Sequence, residues 1–296
     1  MRSPAHRWRF RWYDWLLIAL LAGFCIFVAY RLAFLNYKWN WGVIPTYLVR
    51  FDEESGRWLP NLLLQGLFTT IKLSFWGALV AAVVGLVMGV LRVSHRLFFK
   101  LTTRTYVELI RNTPPLVLVI LFYYFVSDQI LPVLGVDDFV RSLSPSSQQW
   151  LALVSAPPSL FGQFLSGVIT VGLFQSAYVT EIVRAGIEAV GRGQWDASRA
   201  IGLNRFLQLR LVIVPQALRM MIPPLANEFI NTIKYTSIIS LISIQELTFQ
   251  GMQIMSSTQA DIEILLTLFL MYLLICFSLS MWVHRLEKKF TAFRRR

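Results

Sequence analysis

Four long runs without any charged residue place the strongest constraint on how this chain can fold. They cover residues 15–30, 73–91, 112–127 and 264–283. An α-helix needs about 20 mostly apolar residues to cross the hydrocarbon core of a bilayer. Of the 296 residues, 56% are hydrophobic and 15% are charged, whereas about 25% are charged in soluble domains. The sequence therefore predicts an all-α polytopic membrane protein.

We expect about six transmembrane helices in the apolar segments that lie between the charged stretches. They span approximately 15–35, 63–91, 106–131, 161–183, 216–241 and 264–283. A short outer or re-entrant helix is expected around 150–154, and 245–261 is expected to be a short outer loop. The second helix carries glycines and alanines at four-residue spacings, which allow a close approach of another helix.

The lysines and arginines are concentrated on one side of these helices. The segments 2–11, 92–104, 184–219 and 285–296 hold 20 of the 28. Cytoplasmic loops of membrane proteins carry an excess of Lys and Arg, so we expect both termini in the cytoplasm. This bias also accounts for the net charge of +12, and we expect a lipid bilayer and no nucleic acid as the partner of the basic segments.

The interior segment 184–219 is expected to be a cytoplasmic loop that contains a short helix. Residues 195–201 have helix-forming composition, and Asp196 falls in the first turn, where a negative charge suits the helix dipole. Gly202 can adopt a left-handed conformation and end the helix. Pro215 suits the first turn of the next membrane helix.

Two interpretations of this loop helix remain open from the residues alone. It is presented to a protein partner, or it lies on the lipid headgroups with its arginines in the interface. In either case Trp195, Ala200 and Leu203 are expected to dock on the protein. Arg199 and Arg205 are expected to stay in water with Asp196.

The same segment resembles the EAA motif of ABC-importer permeases. The motif reads Glu-Ala-Ala, then Gly, then Ile-x-Leu-Pro, with fixed intervals. The residues that match it in order and spacing are Asp196, Ala197, Ser198, Gly202, Val212 and Pro215. Asp stands in place of Glu, Ser in place of Ala, and Val in place of Ile and Leu. The segments YVELIRNTPPLV, YVTEIVRAGIEAV and PPLANEFINTIKYTSI resemble the polar amino-acid permeases, of the glutamate/aspartate/glutamine type.

This resemblance implies a type I ABC importer permease fold in a bacterial inner membrane. It implies an N-terminal part, 1–60, with the first helix and an outer loop, and a permease core, 61–296, with the coupling loop at 184–219. The permease passes polar amino acids from an extracytoplasmic binding protein to the cytoplasm by alternating access. The implied partners are that binding protein, a cytoplasmic ABC ATPase dimer on the coupling loop, and a second permease subunit, either the same chain or a homologous one.

The nucleotide chemistry is expected on the ATPase. This chain has no G-x-x-x-x-G-K-[ST] phosphate loop. We therefore expect no enzymatic activity and no cofactor or metal on this chain, with ATP and Mg bound by the partner.

The fifth predicted helix has polar residues on one face. Asn227, Asn231 and Lys234 are spaced i, i+4 and i+7, with Glu228 on an adjacent face. Because ionisable groups inside a membrane are costly, they suggest a functional site. The face lines the substrate path, or it forms a polar network that joins helices.

A second polar group lies at the start of the third predicted helix, before Pro114-Pro115. Its members are Glu108, Arg111, Asn112 and Thr113. At spacing i, i+3, Glu108 and Arg111 are expected to pair. The resemblance implies a path or gate role for Arg111, Asn112 and Thr113. The alternative is an interfacial arginine that reaches the inner headgroups.

Two other functions are compared with the importer. An ion-gradient-driven secondary amino-acid transporter is the main alternative, but that class usually has internal repeats with broken helices, and no convincing repeat is found. An intramembrane enzyme would need a metal cluster or a Ser/Lys pair at matching depth, and the sequence has neither.

Overall fold

The computed structural model describes residues 11–33 and 37–292. Most of the basic N-terminus and the last four residues, on which part of the orientation argument rests, lie outside the described residues. Contacts between residues divide the chain into two units, Met1–Asn40 and Trp41–Arg296. The division at residue 60 expected from sequence stays a prediction. In the first unit, α1 (Trp12–Ala33) is apolar over Trp12–Val28. Asp14 accepts a hydrogen bond from the backbone N–H of Arg11 at 2.7 Å at its start.

The second unit begins with α2 and a two-stranded antiparallel hairpin, and the rest is almost entirely helical. Its elements are α2 (Val43–Leu48), β1 (Val49–Asp52), β2 (Arg57–Pro60), α3 (Leu62–Arg92), α4 (Leu97–Asn112), α5 (Pro115–Phe125), α6 (Val136–Ser142), α7 (Pro145–Val154), α8 (Phe161–Glu188), α9 (Arg192–Ala200), α10 (Arg205–Leu207), α11 (Val214–Tyr235), α12 (Leu247–Thr258) and α13 (Asp261–Ala292). A π-helical segment follows α5, another joins α10 to α11, and a 3-10 segment, Thr236–Ile242, follows α11.

Among the described residues, four helical stretches are long and apolar enough to cross a membrane. They are Leu62–Arg92, Pro158–Glu188, Arg205–Ile242 and Asp261–Arg285. A fifth candidate is the pair Leu97–Asn112 and Pro115–Ile130, and α1 is a shorter apolar helix. The all-α membrane fold is thus confirmed, and the short outer or re-entrant helix expected around 150–154 corresponds in position to α7.

The third predicted helix, 106–131, is broken and not continuous. The helical segments Leu97–Asn112 and Pro115–Ile130 are bent by 117° at the break between them. Thr113 is extended, at φ −102° and ψ 143°, because a residue that precedes proline is pushed out of the helical region. Pro114 is followed by Pro115, which starts α5. The double proline therefore ends one helix and starts the next.

Glycines on α3 set the contact between α3 and α8. A Cβ atom added at Gly77, Gly85 or Gly89 would lie within 2.8 Å of Val171, Val179 or Val183, respectively. The close approach predicted from the small-residue spacing is confirmed. In these three contacts the residue number increases along α8 as it increases along α3, so the two helices run parallel. We call the end where both helices begin the hairpin end, and the end where both finish the loop end.

The segment 245–261, expected as an outer loop, is mostly the helix α12. Glu246 caps it by accepting a hydrogen bond from the backbone N–H of Phe249 at 2.8 Å. The same carboxylate, fully buried, accepts hydrogen bonds from Tyr272 at 2.8 Å and Thr70 at 3.2 Å. Burial raises the pKa of Glu246, although these hydrogen bonds partly oppose the effect. A side-chain cap and hydrogen bonds from buried Thr70 and half-buried Tyr272 stabilise a helix that hydropathy alone does not predict.

Candidate functional site

The predicted loop helix is present as α9, and Gly202 terminates it as expected. It begins at Arg192, three residues before the predicted start, so Asp196 lies after the first turn and not in it. Gly202 has φ +81°. Its backbone N–H donates to the carbonyl of Arg199 at 2.9 Å, and the N–H of Leu203 donates to the carbonyl of Ser198 at 3.2 Å. These two bonds form a Schellman motif, which requires a left-handed residue after the helix. No atom lies within 4 Å of the position that a Cβ would occupy at Gly202. Glycine is therefore favoured here by the backbone conformation and not by crowding.

One side of α9 docks on the rest of the chain. Trp195 is half-buried and packs against a core cluster that includes Val190, Ile213 and Ala217. Ser198 is buried, and its hydroxyl donates to the carbonyl of Trp195 at 2.9 Å. A hydrogen bond between the side chains of Gln216 and Gln194, at 3.1 Å, joins α11 to α9. The helix is therefore fixed at the loop end.

The structure corrects part of the predicted division between docked and exposed residues. Asp196 and Arg199 are exposed and Trp195 is docked, as expected. Ala200 is exposed, because the turn that ends α9 directs it away from the core. Arg205 is half-buried, with its guanidinium 4.0 Å from the centroid of the Trp195 ring. A cation–π contact of this kind contributes about 0.5–2 kcal/mol.

The outward side of α9 and its following turn carries two large apolar residues that sequence reasoning missed. Ile201 is 74% exposed and Phe206 is 66% exposed. Ile201 directly follows the last residue of α9, Phe206 lies in α10, and Asp196 and Ala197 of α9 are exposed as well. The sequence could have indicated them, because both are large apolar residues outside the set that was predicted to dock. We call these four residues the outward face of α9.

The remaining residues of the predicted coupling loop lie at the start of α11. Val212 is half-buried against the same core as Trp195. Pro215 is exposed in the first turn of α11, where its missing N–H costs no hydrogen bond. All six predicted loop residues thus lie on one connected segment between α8 and α11.

The polar residues at the break between α4 and α5 do not form the predicted ion pair. Glu108 accepts a hydrogen bond from the Asn112 amide at 2.9 Å. Thr113 bonds within its own helix, to the carbonyl of Leu109 at 2.7 Å. Arg111 lies over the Tyr178 ring, 5.8 Å from its centroid. The turn of α4 before the double proline directs Arg111 toward α8, while Asn112 and Thr113 stay on α4.

The predicted polar face of α11 is exposed within this chain. Asn227 and Lys234 are exposed, and Asn231 is half-buried. Pro223 and Pro224 lie inside the helix, as expected. Another protein, water or substrate must therefore contact this face, since lipid is a poor neighbour for an ammonium group.

Glu228 is a more central residue than its sequence position suggested. It accepts a hydrogen bond from the Asn231 amide at 3.3 Å. With the Gln175 amide in the orientation that satisfies its neighbours, Gln175 donates to the other oxygen at 3.0 Å. Gln175 is fully buried on α8. The described salt bridges include none to Glu228, and the side chains that bind its carboxylate are amides.

An aromatic cluster joins Arg111 to this carboxylate. Phe174 packs with Tyr178 at a centroid distance of 5.5 Å and with Tyr235 at 5.2 Å. Arg111 lies over the Tyr178 ring, and Gln175, which donates to Glu228, lies one turn before Tyr178 on α8. The fold thus brings a cation from α4 and a carboxyl group from α11 to the same stretch of α8. Sequence reasoning did not find the tyrosines, because residues so far apart in the chain show no joint pattern.

An ion network closes the loop end of the same helices. Glu181 pairs with Arg184, as predicted, and also with Arg92 of α3 at 3.2 Å. Arg184 also pairs with Glu188. This network ties α3 to α8 next to the segment that leads into α9.

A protein-family model described as "Binding-protein-dependent transport system inner membrane component" matches residues 81–292. The nopaline transport system permease protein NocM of Agrobacterium fabrum is 34% identical over 218 residues, which cover 74% of this chain and 83% of that protein. The glutamine transport system permease protein GlnP of Escherichia coli is 31% identical over 228 residues, which cover 77% of this chain and 92% of that protein.

Solved structures give the same result for the fold. The crystal structure of an amino acid ABC transporter with histidines matches with a TM-score of 0.61 and 31% identity, over 77% of this chain and 94% of that chain. An inward-facing structure of the MetNI methionine ABC transporter matches with a TM-score of 0.60 at 16% identity, over 77% and 96%. The predicted type I importer permease fold is confirmed.

Proposed function

The chain belongs to the family of binding-protein-dependent transport system inner membrane components, and from this membership we propose that it is the permease subunit of an ATP-driven importer of polar amino acids. The relatives are named for the transport of glutamine and of nopaline. They give no support to the alternative of an ion-gradient-driven transporter. A polar amino acid is therefore the substrate class that we assign.

The outward face of α9 is the observation that carries the coupling role. A loop segment that docks through Trp195 and exposes Ile201 and Phe206 presents apolar area to a partner. Asp196 adds a charge to that surface. We assign the surface to a cytoplasmic ABC ATPase, one subunit for each of two permease chains. The loop residues Asp196, Ala197, Ser198, Gly202, Val212 and Pro215 form or support it.

The proposal places ATP and Mg on the ATPase and gives this chain no catalytic step and no cofactor. Closure of the ATPase dimer would move α9, and with it α11, because Gln194 and Gln216 connect the two helices. The chain then alternates between states open to opposite sides of the membrane.

The substrate path follows from the charges around Tyr178. A free amino acid carries a carboxylate and an ammonium group, and Arg111 beside Tyr178 and Glu228 beside Gln175 offer complementary groups one turn apart along α8. Asn227, Asn231 and Lys234 extend a polar face along α11, while Asn112 and Thr113 lie at the adjoining break. The alternative is that the face of α11 only joins two permease subunits.

The orientation completes the proposal. The loop end faces the cytoplasm because α9 must meet the ATPase there. Ile264 at the start of α13 and Leu63 at the start of α3 belong to the same core cluster, so α13 begins at the hairpin end and runs toward the loop end. The hairpin end then faces the extracytoplasmic binding protein, and the N-terminus is cytoplasmic.

Reconstitution with the ATPase and the binding protein tests this function. We expect uptake of a radiolabelled polar amino acid to need ATP on the side of α9 and to persist when ionophores remove ion gradients. Uptake driven by an ion gradient without ATPase would overturn the proposal. Thermal stabilisation of the binding protein, screened across the amino acids, identifies the substrate.

A matched pair of variants tests the docking surface. Phe206→Ser removes an apolar residue from the outward face of α9, and Phe139→Ser removes one of nearly equal exposure, 64%, from α6. Phe206→Ser should lower the amount of co-purified ATPase, and Phe139→Ser should not. Equal ATPase recovery would place the interface elsewhere.

Lys234→Met separates the two roles of the face of α11. A path role predicts reduced uptake with normal membrane levels and retained dimers. Loss of the dimer would support the role of joining subunits, and unchanged uptake would exclude the path role.

A further inference from the structure

A cavity of about 400 Å³ lies at the hairpin end, apart from the path residues. It is bordered by α3, the end of α7, the start of α8 and the segment that leads into α12. Its polar lining residues are Gln65, Thr69, Lys72, Ser155, Gln163, Gln245 and Gln250. Cavities of about 300–1,000 Å³ are typical of small-molecule sites. None of these residues belongs to the coupling loop or to the Tyr178 cluster.

Lys72 is the one charged side chain among the described residues that line this cavity. It lies ten residues into α3, about 15 Å along the helix axis. Its ammonium donates to the carbonyl of Ala152 at 2.8 Å. An ammonium has three N–H donors, so this contact leaves two. No carboxylate of the described lining neutralises its charge.

The cavity wall is held in place on both sides. Trp76 donates its indole N–H to the carbonyl of Val154 at 3.1 Å, which ties the end of α7 to α3 beside Lys72. On the other side, a Cβ at Gly66 would lie 2.9 Å from the Cα of Leu247. This close approach brings the first turns of α12, with Gln250, against α3.

Gln250 supplies a second polar group that the protein leaves unsatisfied. Its side chain is 3% exposed, and its oxygen has no hydrogen-bond partner among the described residues. Buried side-chain polar atoms nearly always have a partner. An unneutralised ammonium and an unsatisfied amide in one cavity wall are typical of a ligand site, not of a packed core.

We propose that this cavity is a binding site for a small zwitterionic molecule of amino-acid size, with Lys72 as the contact of its carboxylate and the unsatisfied Gln250 oxygen as the acceptor for its ammonium group. It is a second site, nearer the hairpin end than the Tyr178 cluster. The proposed function supplies only the choice of probe. A phosphate group can pair with the Lys72 ammonium in the same way as a carboxylate. The experiment must therefore distinguish an amino acid from an anionic lipid headgroup.

The test uses the full permease–ATPase complex in phosphatidylcholine nanodiscs and a ¹⁴C-labelled mixture of the twenty protein amino acids. We expect Lys72→Met to weaken binding at one class of site by about tenfold or more, because a charge-assisted hydrogen bond is lost. Lys72→Arg should retain binding, and Lys100→Met, outside the cavity, should behave as the wild type. Unlabelled amino alcohols, which lack the carboxylate, should not compete at this site.

Three outcomes would overturn the inference. They are equal binding by Lys72→Met and the wild type, loss of binding in Lys72→Arg as well, and displacement of the label by phosphatidylglycerol in the nanodiscs, which would identify a lipid phosphate as the occupant. Arg111→Gln, measured in parallel, reports on the path. Loss of binding in that variant alone would overturn the second site and leave the proposed function intact. Stable folding of each variant is verified by its ATPase activity and monodispersity.

Discussion

Replacement of Gly202 tests the link between the backbone of the loop and coupling to the ATPase. The residue has φ +81°, and no atom lies within 4 Å of the position that a Cβ would occupy. Any effect of Gly202→Ala therefore arises from the backbone conformation and not from a clash with neighbouring side chains. Gly193 is the matched control, since its Cβ position is also open and its φ lies outside the left-handed range.

The magnitude follows from the conformation. A left-handed backbone costs an ordinary L-residue about 1–2 kcal/mol, which corresponds to a roughly 5–30-fold change in an equilibrium. Gly202→Ala should weaken ATPase binding and ATP-driven uptake by a factor in that range. Asn tolerates this conformation better than Ala, so Gly202→Asn should be closer to the wild type. Gly193→Ala should preserve coupling, because Ala favours a helix by about 1 kcal/mol over Gly.

Both quantities can be measured on one preparation. ATPase affinity is measured by titration onto the permease in nanodiscs, and uptake is measured in proteoliposomes made from the same batch. The decisive result is that ATPase affinity and uptake decrease in the order wild type, Gly202→Asn, Gly202→Ala. If Gly202→Ala and Gly193→Ala give the same affinity, the left-handed cap has no role in coupling and the reasoning is refuted.

Three further predictions follow from other contacts. Gly85→Ala places a Cβ about 2.5 Å from Val179 and should lower the free energy of unfolding by about 1–3 kcal/mol. Gly23→Ala, in open space, is the control and should leave the melting temperature unchanged. Equal melting temperatures for the two variants would show that α3 and α8 can separate freely. Glu228→Gln should reduce uptake while ATPase binding persists, measured in proteoliposomes, and unchanged uptake would remove this carboxylate from the path. Because burial raises the pKa of Glu246, the folded state holds a proton that the unfolded state releases, so stability should fall as the pH rises above the ordinary carboxyl pKa of about 4.3. Thermal melts of Glu246→Gln should lack that part of the pH dependence, and parallel curves for the variant and the wild type would contradict it.

The amino-acid sequence determined the features that depend on local physics. Apolar runs fixed the membrane class, and the small-residue spacing on α3 indicated a close helix contact that the structure places against α8. The end of α9 was also predictable, because the left-handed preference of Gly202 belongs to a single residue and needs no tertiary contact. The motif around Gly202 could be recognised for the same reason, because all of its residues lie in one continuous segment of the sequence.

Only the tertiary structure decided which distant residues meet. Thr70 reaches Glu246 across 176 positions of sequence, and Lys72 reaches the end of α7 across 80. The break at the double proline was missed in the predicted helix 106–131, and the direction of α5 after it depends on packing against α8. Hydropathy records how each residue partitions between water and lipid, and it carries no information about partners. The loop helix, a local feature, could therefore be predicted from sequence, whereas the carboxylate beside Gln175 and the cavity at Lys72 exist only where separate helices converge.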